Sequence, residues 1–193
     1  MKRLILFSGG VESTALLLRR NDDDIVVTVE DTSPRADMSF HPGAVKNIAA
    51  ALNVDVRMCQ IFTPIPRPKK IWHYQLWMIL PVVSLCVTKD PSICEVWYGV
   101  NASEYSGMYT ADKKYTQLET AWNILHPGVP IVFPMVEMTK AEIWNTIPNH
   151  IRPLVRTCIK NTHPDKDINC GTCRKCLELK MLPGSCLYEA VGI

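Results

Sequence analysis

The sequence predicts an α/β protein, a five-stranded parallel sheet with helices on both faces, carrying a small C-terminal metal-binding subdomain. Three observations carry this expectation. Short apolar runs of strand length alternate with helical patterns, Ser8-Gly9-Gly10 turns the first run into the first helix, and four of the eight cysteines are grouped near the end of the chain. Regular alternation of strand and helix implies a parallel sheet, because each crossover lays a helix on one face. With 193 residues the chain can bury such a core as one domain with a small appendage. The expected division is 1–150 for the α/β domain and 151–193 for a metal-binding segment packed on it.

The elements follow in order. Leu4 to Phe7 reads as the first strand, Glu12 to Arg20 as a helix with Ala15, Leu16 and Leu17 on or near its inner face, and Ile25 to Glu30 as the second strand. A polar loop from Asp31 to Pro42 leads to a helix over Gly43 to Leu52 and a third strand over Val54 to Ile61. "FTPIPRPKK" is a proline-rich connection that cannot be a central strand. Ile71 to Thr88 is uncharged and near the lower limit of a membrane span, but His73, Gln75 and Pro81 interrupt it. It reads as a buried helix kinked or broken near Pro81. "CEVWYGV" is a fourth strand, "NASEYSGMYTADKKY" a loop, Tyr115 to Leu125 a helix and "PIVFPM" a fifth strand. Thr139 and Glu142 have the spacing of a capping box, so a helix starts there and ends before Pro148.

Charge and composition exclude little but point one way. A formal charge of +2 is too small to argue for a nucleic-acid or membrane surface, and neither partner is expected. Met1-Lys2-Arg3 is followed by only Leu4 to Phe7 before the chain turns polar, which does not read as an export signal, so the expected compartment is the cytoplasm. Cysteines there are thiols or metal ligands. Cys59, Cys86 and Cys94 lie in or beside apolar stretches, and Cys186 stands apart from the group.

The glycine pair lies where a strand gives way to a helix, at the carboxyl end of the sheet and on the side where ligands bind. Two adjacent glycines leave backbone amides unobstructed, and with the helix start these can cradle an anion. Ser8 and Ser13 add hydroxyl donors. A tight turn without a ligand explains an isolated pair equally well.

The cysteine group is more specific. "TCIKNTHPDKDINCGTCRKC" places Cys158, after an interval of eleven residues, ahead of Cys170, Cys173 and Cys176. Four thiolates complete the closed tetrahedron of structural zinc; iron–sulfur clusters use similar spacings. Arg174 and Lys175 would partly offset the thiolate charge. His163 lies between the ligands and could replace one, although four cysteines suffice.

"FSGGVESTALL" resembles the pyrophosphatase loop, SGGxDS, of ATP enzymes that cleave between the α and β phosphates, with Glu12 where that loop has aspartate. "GVNASEYSG" is similar to the GVNAxDYSG of 7-cyano-7-deazaguanine synthases, the QueC-type enzymes, with Glu104 again replacing aspartate. "TKAEI" and the cysteine order also match, so the resemblance covers most of the chain and marks a divergent member. The family's YGQRH-like string has only a tenuous parallel at Arg35 or His41, and Arg67-Pro68 stands where it carries an arginine-asparagine pair.

The resemblance implies an adenine nucleotide alpha hydrolase-like, Rossmann-like fold and an ATP-dependent ligase of queuosine or deazaguanine-modified nucleic acid biosynthesis. A deazaguanine carboxylate is adenylated, ammonia gives the amide, and a second activation gives the nitrile. ATP would lie along Phe7, Ser8, Gly9, Gly10, Val11, Glu12, Ser13, Thr14, Ala15, Leu16 and Leu17. Ser8, Glu12, Ser13 and Lys140 would serve the chemistry, with magnesium bridging to Glu12. Asn101, Glu104 and Tyr105 would recognise the heterocycle. A homodimer is admissible. Another adenylating enzyme of the superfamily, acting on RNA or forming amides, and a non-catalytic nucleotide-binding protein remain open alternatives.

Overall fold

The computed structural model describes residues 1–31, 41–61, 74–105, 111–158 and 169–185, of which 31, 74–79, 105 and 111–114 are described by backbone alone. Arg35, the whole 62–70 connection with Arg67-Pro68, His163 and Cys186 lie outside the described residues.

Five parallel strands form one sheet: β1 (Lys2–Leu6), β2 (Ile25–Asp31), β3 (Arg57–Ile61), β4 (Ile93–Trp97) and β5 (Ile131–Val132), in the spatial order β3-β2-β1-β4-β5. Leu4 pairs with Ile25 on one side and Val96 on the other, so β1 is the central strand. The helices are α1 (Val11–Leu17), α2 (Pro42–Ala51), α3 (Tyr74–Lys89), α4 (Ala102–Tyr105), α5 (Ala111–Leu125), α6 (Lys140–Asn145) and α7 (Arg174–Lys180).

The period of two along the strands divides the core. Ile5, Phe7 and Val26 face a cluster built from α1, α2, α6 and α7, with Val11, Ile48, Trp144 and Leu179 among its members. Leu4, Leu6, Ile25 and Val27 face the opposite cluster, where α3 and α5 supply Val83, Val87, Leu118 and Trp122. Ile151, Val155, Leu179 and Leu182, all from the C-terminal segment, are members of the first cluster, so the chain beyond residue 150 shares a core with the sheet.

Two expectations are corrected. The helix over the apolar stretch runs unbroken through Pro81, and it is amphipathic: Leu80, Val83 and Val87 are buried while Pro81 and Leu85 are exposed. Pro81 itself lies on the exposed face, so its ring displaces no core side chain. The expected loop after β4 contains α4 and the start of α5. Asn101 caps α4, its Oδ1 accepting from the Glu104 amide at 3.0 Å and the Ser103 hydroxyl at 2.6 Å. The capping box at Thr139 and Glu142 forms as its spacing predicts, with both reciprocal hydrogen bonds present.

Candidate active site and metal centre

The strand order reverses between β1 and β4, and the crevice above their carboxyl ends is the topological switch point of such a sheet. The loops leaving these two strands meet there.

On the β1 side, Phe7 still donates to the Val27 carbonyl at 2.9 Å before the chain turns. Gly9 has φ +78°, and a Cβ there would lie 3.1 Å from Ala44 Cβ of α2, so the turn itself requires glycine. Gly10 differs. It is the extended N-cap residue of α1, and an added Cβ would be in ordinary contact at 3.6 Å. Gly10 has no side chain with which to cap α1, and among the described residues no side chain takes that place, so the first amides are left to water or an anion. The carbonyl of Gly9 accepts from the Arg156 amide at 2.9 Å, which fastens the loop to the segment ahead of Cys158.

Ser13 braces the loop from inside. Its hydroxyl donates to the Gly10 carbonyl at 3.2 Å and lies 3.1 Å from Ser8 Oγ, and its oxygen accepts from the Ser8 amide at 3.2 Å. Ser8 is exposed at the crest, whereas the side chains of Phe7, Val11, Thr14, Ala15, Leu16 and Leu17 are buried and serve as scaffold.

Glu12 reaches across the crevice. Asn101 Nδ2 donates to its Oε1 at 2.7 Å, and Lys140 Nζ lies 3.5 Å from the same oxygen. Asn101 therefore joins three parts through one buried amide: the first loop, the end of β4 and the start of α4. The amide expected to read the heterocycle is engaged inside the protein, with its carbonyl used twice. Close approach of the two loops depends on Gly99, where a Cβ would come within 3.0 Å of Glu12 Cβ and the Ser13 amide nitrogen. Lys140 is mostly buried, not a solvated first-turn lysine, and also pairs with Glu178 Oε2 at 3.0 Å. The side chain of Tyr105 is outside the described set.

Sequence reasoning missed three contributors. Lys175 of α7 donates to Glu104, and Glu178 of the same helix receives Lys140. Burial is the largest influence on Lys175 and pulls its ammonium down, but Glu104, Glu12 and Glu178 outweigh it and hold the group above its ordinary value. Burial likewise pushes Glu178 up, yet Lys140, Arg174 and Lys175 prevail and keep it low. Tyr98, the third, packs with Tyr115 and Phe133 at centroid distances of 6.4 and 6.2 Å. Burial first, then the Glu104 and Glu12 carboxylates, raises its phenol well above the ordinary range. The one available signal was the position of Tyr98 beside the "GVNA" string.

The cysteine cluster lies beside this network. The sulfurs of Cys158, Cys170, Cys173 and Cys176 are all within 4.8 Å of one another. Cys170 and Cys176 are separated by 3.9 Å, and Cys158 and Cys173 by 4.0 Å. A tetrahedron with zinc–sulfur bonds of about 2.3 Å has edges of about 3.8 Å, so the donor set fits a metal such as zinc. Backbone amides already point at the sulfurs: Cys173 N donates to Cys170 Sγ at 3.3 Å and Cys176 N to Cys173 Sγ at 3.4 Å. Burial acts to raise the Cys170 thiol, but donors from Thr172, Cys173 and Cys158 prevail and bring it to about 6. His41 holds the backbone behind the cluster, its buried Nε2 donating to the Cys158 carbonyl at 2.9 Å. Arg174 and Lys175, expected to offset thiolate charge, instead pair with Glu178 and Glu104.

Sheet order, crest loops and cysteine cluster define an α/β protein with a charged switch-point crevice beside four clustered cysteines that could hold a metal. The chain matches the family of queuosine biosynthesis protein QueC over residues 77–181, more than half its length, and belongs to that family. The match holds Asn101, Glu104, Lys140 and all four cysteines; the Ser8–Ser13 loop precedes it. No curated protein matches the chain. Family membership supports a role in queuosine and 7-deazaguanine biosynthesis and suggests a ligase-type enzyme. No helix among the described residues is long and apolar enough to cross a membrane.

Proposed function

We propose that this chain is an ATP-dependent carbon–nitrogen ligase that converts 7-carboxy-7-deazaguanine to the amide and then to the nitrile. The observation that carries the reading is the 2.7 Å bond from Asn101 to Glu12, which joins the two loops into one site at the switch point. A carboxylate oxygen of the substrate attacks the α-phosphorus, the bond to the bridging oxygen breaks, and pyrophosphate leaves. The lone pair of ammonia then attacks the acyl carbon and AMP departs. A second adenylation, on the amide oxygen, allows loss of AMP and protons to give the nitrile.

The residues supply position and charge. Uncapped amides at Gly10 and the start of α1 suit phosphate oxygens, and exposed Ser8 adds a hydroxyl. Lys140 brings positive charge to the same rim, 3.5 Å from Glu12. Magnesium commonly binds through one or two carboxylates plus substrate phosphates, and Glu12 is the carboxylate of this loop; it would hold the ion, which when bound neutralises phosphate charge. Glu104 offers an acceptor for the N–H groups of a guanine-like ring. Zinc, held by the four cysteines with no open position, would supply a structural cross-link. Residues 1–150 carry the nucleotide site in this reading and 151–193 brace it.

Release of AMP and pyrophosphate, measured with and without 7-carboxy-7-deazaguanine and ammonia, tests the proposal. Stimulated release is expected. Tight ATP binding without turnover would instead indicate a non-catalytic nucleotide-binding protein. Gly10→Ala should weaken ATP binding about tenfold or more while the protein still folds, because the added Cβ has room in the fold but would crowd the phosphate, and the poorer N-cap costs only about 1 kcal/mol.

A further inference from the structure

Lys175 stands between two of the four clustered cysteines, yet its ammonium is directed to Glu104 at the crevice. Its backbone is fixed from both sides. Cys173 is the N-cap of α7 and its sulfur accepts from the Cys176 amide, so the turn carrying Lys175 takes its shape from the thiol cluster. Three residues further on, Glu178 accepts from Lys140, which in turn lies against Glu12. One short helix thus holds the carboxylates of both crest loops, one through Lys175 directly and the other through Glu178 and Lys140. The Lys175 and Glu104 side chains are each roughly one-quarter exposed, so the pair lies at the rim where a ligand would enter.

We propose that Lys175 is a positioning residue: anchored by the cysteine cluster on either side, it sets the Glu104 carboxylate for the N–H donors of the deazapurine acid. Metal retention and substrate recognition are then two faces of one linkage. Whatever loosens α7 releases Glu104, and by reciprocity, whatever releases Glu104 loosens the metal. The substrate in this statement rests on the ligase reading; the link between helix and carboxylate does not.

The test is a double-variant cycle on the full chain, reading zinc affinity by competition with a chromophoric chelator, for Glu104→Gln, Lys175→Met and the pair. Each single change should weaken zinc about fivefold or more, and the double change no further than either. A Lys175→Met variant that loses zinc beside a Glu104→Gln variant that keeps it would make Lys175 a counter-charge for the thiolates and overturn the proposal. The kinetic arm, in zinc-saturated protein, expects Lys175→Met to raise KM for 7-carboxy-7-deazaguanine about tenfold with a smaller change in kcat, and Lys175→Arg to restore part of it. Unchanged KM with an additive cycle overturns the inference. A non-additive cycle in a protein that neither binds nor turns over this acid supports the link and overturns the ligase reading.

Discussion

Glu12 is held at one oxygen by two different groups, a neutral amide at 2.7 Å and an ammonium at 3.5 Å. Shortening the side chain by one methylene withdraws the carboxylate by about 1.5 Å, beyond hydrogen-bonding reach of Asn101. Glu12→Asp should therefore lower turnover about tenfold or more, equivalent to ~1.4 kcal/mol, measured as AMP release. A gain would mean that the longer chain is an impaired solution. Residues of this kind were legible unequally. The serine-glycine turn and the cysteines announce themselves by local spacing, whereas Lys175 meets Glu104 across 71 positions and Lys140 meets Glu178 across 38. Lys175 had an obvious local partner in the thiolates, and only the path of α7 shows that its charge goes elsewhere.

At the scale of elements, a single ion pair fastens the start of β1 to the residue before β2. Arg3 Nε donates to both oxygens of Asp24, at 3.1 and 2.9 Å, and its guanidinium lies 3.9 Å over the Trp97 ring of β4. Burial, the largest influence, pushes the Asp24 carboxyl up, but Arg3 and the Asn21 amide outweigh it and the group titrates below its ordinary value. A lowered folded value contributes stability that is fully present above the unfolded pKa of about 3.9 and is lost as pH falls through the folded one. Asp24→Asn should cost about 3 kcal/mol at pH 7, read from urea midpoints, and the difference from the parent should shrink at pH 3. An equal deficit at both values would remove the ion pair as its cause. Element types were largely readable from periodicity. One exception has a local cause: α4 needed the Asn101 cap to be read as a helix. The helix expected over the apolar stretch is there as α3, and it continues past the outward-facing Pro81 instead of breaking.

For the whole molecule, alternation of strand and helix announced a parallel sheet but not its order, which depends on where β4 inserts. That placement decides the site, since it brings Asn101 beside Glu12 from 89 positions away. The C-terminal segment is equally integral. Its Arg156 amide holds the Gly9 carbonyl and Leu179 packs in the main core, so disruption of the cysteine cluster should be felt globally. Cys158→Ser should release the metal, measured as zinc per chain, and lower the melting temperature by about 10 °C, equivalent to roughly 3–4 kcal/mol in a domain of this size. Unchanged zinc content would take Cys158 out of the ligand set.

Gly99 adds a rule about how such a crest can vary. Gly99, just beyond β4, lies so near Glu12 that even a single Cβ there would come within 3.0 Å of its Cβ, so the two main chains have no slack to exchange. Adding bulk at Gly99 would prise the loops apart, so tuning is confined to how far a carboxylate or ammonium extends from a stationary frame. Descendants of this protein could acquire new preferences by trimming or lengthening those few arms while the trace of the chain stays where it is.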